Sequence, residues 1–286
     1  MVVFFGVGLP RCSLGPIIPI TYSPSNCYNA CMSYSFEQCF IAIKQVQVLA
    51  WLSFKARVER HVLGVLWYLL DPILYFIVFI AIQGHFVTHN IIPAGFYVMT
   101  GIVISNIMRK SFSASAGSIL SLGAYTKSLG VKPIILVSGK IIESFISFLI
   151  EFLLVMVLML YYKISIINVC IAIPLVVILY LFIQGVAWAI ASITAYIRDM
   201  ENLVNISMYL LTIASPVFYI PKSGTALHVF NTYNPLAQFI DLFRQVLFKG
   251  VYDVNLVLSV SLYSVVVFIF GYWMIKRATF RIAEVS

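Results

Sequence analysis

Six stretches of the chain consist almost entirely of apolar residues, and short polar or proline-containing segments separate them. A helix needs about 20 predominantly apolar residues to cross the hydrocarbon of a bilayer. We therefore predict an all-α integral membrane protein with six transmembrane helices. The predicted spans are residues 67–86, 93–109, 134–160, 168–196, 203–220 and 254–275.

Residues 40–63 have the pattern of an amphipathic helix in front of the first span. Trp51 and Phe54 recur at helical spacing on one face, whereas Arg57 and Arg60 lie on another. An aromatic apolar face opposite a basic face is typical of a helix that lies in the membrane surface. We predict that this segment is an interface helix.

A second amphipathic helix is predicted between the fifth and sixth spans. Asn234 followed by Pro235 is a typical helix start, and Gly250 is a typical stop. Asp241 and Arg244 fall on its polar side. Because the segment is too short to span, we expect it to re-enter the membrane or to lie on its outer face.

Composition supports a membrane protein. Hydrophobic residues make up 62% of the chain and charged residues 10%, against about 45–50% and about 25% in soluble domains. The net charge is +8. With the N-terminus inside, twelve Lys and Arg residues lie on the cytoplasmic side and four on the other, leaving out Arg11 and Lys140. This asymmetry predicts a multi-pass protein of the cytoplasmic membrane with both termini cytoplasmic, and the charge requires no nucleic-acid partner.

Residues 1–38 differ from the rest of the chain. They are rich in proline and cysteine and contain only Arg11 and Glu37 as charged residues. Neither a signal peptide nor zinc-ligand spacing is recognisable there. We expect a poorly ordered extension, and a start codon chosen too far upstream is one explanation of it. The transmembrane domain is predicted to cover residues 39–280.

Catalytic motifs are missing from the sequence. It contains no phosphate-binding loop, no H-E-x-x-H and no G-x-S-x-G. We therefore expect a transport protein rather than an enzyme, with no cofactor or metal of its own. Its energy source is then either another chain or an ion gradient.

The third span contains a polar stripe. Lys140, Glu143, Ser147 and Glu151 recur at spacings of three, four and four, which places them on one helix face. Ionisable groups are costly in hydrocarbon, so they should face protein or water. We favour an ion pair of Lys140 with Glu143 and a hydrogen-bonded Glu151. The alternative is an ion relay in a gradient-driven transporter.

Two further sets of residues are candidates for function. Tyr75, Tyr97 and Tyr209 lie within spans, where their rings either line a path for sugars or simply pack and anchor the helices. The segment 122–133, between the second and third spans, is either a solvated loop or a short helix that docks on a cytoplasmic partner.

The entry to the first span resembles that of ABC type-2 export permeases of the polysaccharide and O-antigen branch, where it reads approximately R-x-x-L-G-x-L-W-x-x-x-x-P. The matching residues here are Arg60, Leu63, Gly64, Leu66, Trp67 and Pro72. The segment with Asn234, Pro235, Asp241 and Arg244 resembles the external helix of the same family. The resemblance covers about residues 40–280.

This resemblance implies the permease subunit of an ATP-driven exporter. Its cargo would be a lipid-linked polysaccharide of the O-antigen (lipopolysaccharide), capsule or teichoic-acid type. The permease would form a homodimer and bind two copies of an ABC ATPase, which hold ATP and Mg. Spans one, two and five would line the channel. The residues implied to couple to the ATPase are Leu122, Tyr125, Lys127, Leu129, Lys132 and Pro133. A drug or lipid exporter of the same family is the alternative cargo assignment.

Overall fold

The computed structural model describes most of the chain from residue 24 onwards. The described residues are 24–59, 64, 66–83, 91–129, 132–161, 163–165, 167–197, 199–219, 221 and 224–285. Side chains are described for these residues except 24–40, 79–80, 82–83, 91–94, 119–129 and 279–285. All regular secondary structure in these ranges is helical, as the apolar pattern predicts.

The helices of the described ranges follow the order of the predicted segments. Their bounds are α1 Pro24–Glu59, α2 Leu66–Gln83, α3 Ile91–Leu129, α4 Pro133–Tyr161, α5 Ile167–Thr194, α6 Met200–Ala214, α7 Ala226–Tyr233, α8 Pro235–Lys249 and α9 Val254–Val285.

The chain divides into two compact units. The first is Met1–Ala42, whose described part is the beginning of α1 from Pro24. The second is Ile43–Ser286 and contains the rest of α1 and the other helices. Helix α1 thus begins inside the stretch for which the sequence indicates no element, at a proline, which is well tolerated in the first turn of a helix.

Among the described helices, three are long and apolar enough to cross a membrane. They are α4, α5 and residues Val254–Ala278 of α9. The other three predicted spans correspond to α2, α3 and α6, so the count of six spans stays a prediction. Helix α6 has 15 residues, about 22 Å, which is less than the roughly 30 Å of hydrocarbon.

Helix α6 ends earlier than predicted. The expected span reaches residue 220, but the helix stops at Ala214 and residues 215–219 are not helical. Pro216 explains the difference, because proline lacks the N–H that continues a helix and disfavours the helical region for the residue before it. The carbonyl groups that follow this break are consequently available to other donors.

Helix α3 is longer than predicted. It continues through the segment 111–129, which the sequence indicates as a connection, and only residues 130–132 separate it from α4. Phe112 and Ala116 are buried, and the buried hydroxyl of Ser115 donates to the carbonyl of Phe112 over 2.8 Å. The small, serine-rich segment therefore stays helical because it packs against other parts of the protein.

Close packing in the second unit depends on small residues. Helices α5 and α9 cross at Gly185 and Gly271, where a Cβ on Gly271 would lie 2.0 Å from the carbonyl oxygen of Gly185. Helix α8 lies inside the bundle, in contact with α3, α5, α7 and α9. Its residues Phe239 and Phe243 are fully buried. It is thus a packed helix rather than one that lies exposed on a surface.

Candidate functional site

Helices α2, α3 and α6 form one side of the bundle, and a cleft made of three adjoining cavities lies there. The largest, about 580 Å³, is lined by Arg57, Arg109, Lys110, Ser113, Ala114, Asn205, Ile206, Tyr209 and Leu210. A cavity of about 370 Å³ shares Arg57 and Lys110 with it. A third, about 150 Å³, shares Arg109 and Tyr209. We call the three together the α2–α3–α6 cleft.

Two of the three predicted pathway tyrosines lie in this cleft. Tyr75 and Tyr209 both line the smallest cavity, together with apolar residues such as Ile213 and Phe218. Their side chains are 47% and 62% exposed. Tyr97 is not among the residues that line the cleft, and its ring packs against the guanidinium of Arg244.

The polar stripe of α4 forms a network that we call the carboxylate cluster. Glu143 and Glu151 are both 1% exposed. The predicted ion pair is present, with 3.0 Å between Lys140 Nζ and Glu143 Oε2. A second cation, Arg57 of α1, places its Nε 2.8 Å from Glu143 Oε1. The stripe therefore holds α1 against α4, a role that spacing within one helix does not indicate.

Glu151 is the deeper half of the carboxylate cluster. Lys110 Nζ lies 2.6 Å from its Oε1, and the Asn106 side-chain amide donates to its Oε2 over 3.2 Å. Asp71 of α2 approaches Lys110 at 3.8 Å. Glu151 is thus hydrogen-bonded within the bundle, as expected. Its ion-pair partner, Lys110, was not predicted, because the sequence places Lys110 in the connection after the second span. The one sequence feature that could have indicated this pair is that Lys110 directly follows the apolar residues of that span.

Arg244 is the centre of a second polar site, the arginine cluster. It is only 4% exposed, although the sequence places it on the polar side of α8. Its guanidinium donates twice to the carbonyl of Tyr97, over 3.0 and 2.8 Å. It also donates to the carbonyls of Pro216 and Val217, over 2.7 and 3.1 Å. Arg244 therefore joins α8 to α3 and to the end of α6.

Neighbouring contacts reinforce this junction. The Asn234 side chain accepts from the Leu236 N–H at the start of α8 and donates to Ser215 Oγ over 2.8 Å. The other end of α8 has Gly250 in the left-handed conformation, with φ of 65°. The two ends are the ones that the sequence indicates. Asp241 lies 4.0 Å from Arg244 and is half-exposed, so it contributes little.

The remaining predicted residues are distributed as follows. Gly64 has φ of +48° in the turn before α2, which explains a glycine there. Leu66 and Trp67 begin α2 with exposed side chains, and Pro72 is buried within it. Ser147 is buried beside Glu143. Arg60 and Leu63 lie outside the described residues. Leu122, Tyr125, Lys127 and Leu129 belong to the last turns of α3, where side chains are not described, and Lys132 is exposed before Pro133.

Metal chemistry finds no support in the described part of the chain, where no group of three His, Cys, Asp or Glu side chains could hold an ion. The arrangement offers instead a long, partly charged cleft beside a buried ionic network. Such a cleft can accommodate a bound or moving molecule.

Comparison with known families agrees with this picture. Residues 44–248, more than half of the chain, match the model of the ABC-2 type transporter family. No match is found among curated proteins. Membrane proteins of this family are permease subunits of ABC exporters and normally pair with an ABC ATPase subunit. The chain therefore belongs to the ABC-2 type transporter family and is a membrane permease subunit.

Proposed function

We propose that this permease exports a lipid-linked polysaccharide, of the O-antigen, capsule or teichoic-acid type, across the cytoplasmic membrane. The observation that carries the proposal is the α2–α3–α6 cleft. The family resemblance implies that the helices around this cleft line the channel, and Tyr75 and Tyr209 both lie in it. Tyrosine rings present apolar faces and a hydroxyl group, which suits contact with sugar rings.

The polarity of the cleft argues that it does not face lipid. Asn205 and Tyr209 lie on the exposed side of α6, and Arg109 on the facing side of α3 is only half-buried. Polar and charged side chains in hydrocarbon are costly, so this side should face protein or water. A second copy of the chain packed across the cleft would enclose it, and we propose a homodimer of this kind.

Helix α9 differs from α2, α3 and α6 in charge, because it has no charged residue between Val254 and Ile275. The exposed apolar side chains there include Leu258, Leu262, Val266, Ile269 and Phe270. A face of this composition suits direct contact with lipid. The contrast supports a dimer that closes over the α2–α3–α6 cleft and leaves α9 at the periphery.

Energy would come from two copies of an ABC ATPase, which would hold ATP and Mg. Helix α3 has 39 residues, about 58 Å, nearly twice the hydrocarbon thickness of roughly 30 Å. Part of it must therefore extend beyond the hydrocarbon. We propose that its end at 122–129, with Lys132 and Pro133, docks on the ATPase.

Charge reversal tests this assignment. In cells that lack the native permease, the double variant Lys127→Glu, Lys132→Glu should lose both the co-purifying ATPase and surface polysaccharide, because it replaces two cations of the docking segment. Lys249→Glu, at an exposed position at the end of α8, is the matched control and should keep both. Full export by the double variant would refute the assignment of residues 122–133 as the docking segment. If the wild-type protein purified without any ATPase, the proposal of an ATP-driven exporter would be refuted.

A further inference from the structure

Another cavity lies away from the α2–α3–α6 cleft, between the C-terminal end of α5 and the last turns of α9. Its volume is about 340 Å³, and it shares no lining residue with the cleft. The lining residues come from α5, from the turn that follows it and from α9, and they include Ser192, Tyr196, Ile197, Trp273 and Arg277. We call this cavity the α5–α9 pocket. The proposed export function gives it no role.

Two cations beside the pocket have no counter-charge among the described residues. Lys276 and Arg277 directly follow the apolar run of α9, and both side chains are exposed. No carboxylate oxygen of the described residues lies within 4.0 Å of either one. The cations that pair with the acids of α4 differ in this respect, since each has a carboxylate oxygen at 3.0 Å or less. An anion can therefore bind at Arg277 without displacing an internal ion pair.

Trp273 fixes the position of the Arg277 side chain beside the pocket. The guanidinium carbon lies 3.9 Å from the centroid of the indole ring, which is a cation–π contact. Such a contact occupies the flat face of the guanidinium and leaves the N–H groups at its edge able to donate. Two parallel N–H groups match two oxygens of a phosphate group. The pocket thus presents an oriented anion-binding fork.

The neighbouring face of α9 is apolar. The ring of Phe270 stacks on that of Trp273 with 6.0 Å between the centroids, and Ile269 beside it is exposed. Tryptophan between a charged and an apolar stretch is typical of the boundary between headgroups and hydrocarbon. The pocket would then lie at headgroup depth, with Phe270 and Ile269 in the hydrocarbon. A ligand that fits both parts has an anionic head and apolar chains.

We propose that the α5–α9 pocket binds the headgroup of an anionic phospholipid. Arg277 donates to the phosphate oxygens, Lys276 adds to the positive potential, and the exposed hydroxyl of Tyr196 is available to the glycerol or ester oxygens. The acyl chains lie along Phe270 and Ile269. This inference goes beyond the proposed function, because it requires neither a glycan cargo nor a dimer.

The charge of the site selects among phospholipids. A zwitterionic headgroup presents the same phosphate but also a cation, which Lys276 and Arg277 repel, so a headgroup with net negative charge is preferred. The distribution of Lys and Arg along the sequence predicts that this end of the bundle faces the cytoplasm. Anionic lipids give the cytoplasmic leaflet its negative surface potential, so this leaflet would supply the ligand.

Lipid binding to the purified full chain, together with any subunit that accompanies it, tests the proposal. Native mass spectrometry counts the molecules retained after titration in mild detergent. The probes are phosphatidylglycerol, phosphatidylcholine with the same acyl chains, and soluble glycerol phosphate. The wild type should bind phosphatidylglycerol about tenfold more tightly than phosphatidylcholine. Arg277→Gln should weaken binding of phosphatidylglycerol by about tenfold, because it removes a charge-assisted bidentate contact.

Three further variants make the result specific. Arg277→Lys retains the charge without the fork and should recover part of the affinity. Trp273→Leu keeps an apolar side chain but removes the stack, and should weaken binding about threefold. Lys249→Gln, which removes an exposed cation at the end of α8, is the matched control and should bind as the wild type does. All three positions are exposed, so the elution profile of the protein should not change.

Each contrary outcome overturns a defined part of the proposal. Wild-type affinity of Arg277→Gln for phosphatidylglycerol would overturn the site. Equal affinity of the wild type for the two lipids would overturn the selection of an anionic headgroup. Binding of glycerol phosphate as tight as that of phosphatidylglycerol would assign the pocket to free phosphate. If Arg277→Gln lost a co-purifying ATPase but kept its lipid, the pocket would be a protein contact instead.

Discussion

The carboxylate cluster and the arginine cluster both bury charge between helices, but they balance it differently. In the first, the two acids of α4 each meet at least one cation at 3.0 Å or less. In the second, Arg244 meets carbonyl oxygens at 3.1 Å or less and its nearest carboxylate, Asp241, at 4.0 Å. One site is a set of ion pairs, whereas the other is a cation held by backbone dipoles.

This difference in partners determines how much each cluster loses when one charged side chain is removed. Glu143 has two cations and Lys110 has two carboxylates within 4.0 Å, so each retains a partner when one is removed. The carbonyls of Pro216 and Val217 are accessible because α6 ends at Ala214, and Arg244 supplies the N–H groups that a continued helix would have provided. The arginine cluster therefore depends on a single side chain.

Replacement of Arg244 should have the largest effect. Arg244→Met keeps much of the apolar stem but removes four donated hydrogen bonds to three carbonyls, of which those of Pro216 and Val217 are buried. We expect the free energy of unfolding, measured by SDS titration in mixed micelles, to fall by about 3–5 kcal/mol.

The control for this variant lies on the same helix. Asp241→Asn alters a half-exposed side chain 4.0 Å from Arg244 and should change the free energy of unfolding by less than about 0.5 kcal/mol. A wild-type unfolding curve for Arg244→Met would show that the carbonyls find other donors. The contrast between the two clusters would then disappear.

Glu151→Gln should have the next largest effect. The amide remains able to accept from Asn106, but Lys110 then has only Asp71, at 3.8 Å. We expect a loss of about 2–3 kcal/mol in the same assay, less than for Arg244 because one counter-charge remains.

Transport separates this structural role from an ion relay. If Glu151 serves only to pair Lys110, Glu151→Gln should retain transport in proportion to the amount of folded protein. A gradient-driven transporter would instead lose transport with folded protein at wild-type levels. Lys110→Met combined with Glu151→Gln supplies the double-mutant cycle, which should show a coupling energy of about 1 kcal/mol or more.

Local signals predicted much of what lies within single helices. Asn234-Pro235 and Gly250 gave the ends of α8, because capping depends on residues within one turn of the helix end. The spacing of Lys140 and Glu143 gave their ion pair for the same reason. Periodicity also placed the polar residues of α4 on one face, and the cost of charge in hydrocarbon indicated that this face meets protein or water.

Local sequence signals do not predict which side chains on different helices contact each other. Lys110 and Glu151 are 41 residues apart, and Arg244 and Tyr97 are 147 apart. Hydrophobic periodicity tells which face is buried but not which helix covers it. The pattern of α8 alone predicts a polar surface for Arg244, because nothing in that helix reveals that α6 breaks beside it. The extension of α3 through serines was missed because tertiary packing, not propensity, maintains it.

Gly101→Ala tests how tightly the arginine cluster is packed. A Cβ at Gly101 would lie 2.7 Å from Arg244 Nη2 and 3.2 Å from the Val217 Cα. The guanidinium must move, but not all of its hydrogen bonds need be lost. We expect a decrease of about 1–2 kcal/mol in the free energy of unfolding, as for other overpacked sites.

The control for Gly101→Ala is Ser259→Ala, at an exposed position of α9. Gly224→Ala would be a poor control, because Gly224 has a positive φ. A neutral Gly101→Ala would mean that Arg244 adapts freely and would reduce the effect expected for Arg244→Met.

Glu143→Gln should have the smallest effect, although Glu143 is as buried as Glu151. Its two cations reach water, since the side chains of Arg57 and Lys140 are 42% and 25% exposed, whereas that of Lys110 is 16% exposed. Solvated cations lose little when their acid is removed, so we expect a decrease below about 1 kcal/mol. Raising the salt concentration in the same assay should reduce the wild-type advantage over Glu143→Gln but not the advantage over Glu151→Gln. A larger loss for Glu143→Gln than for Glu151→Gln would show that attachment of α1, rather than depth of burial, determines the energetics of the carboxylate cluster.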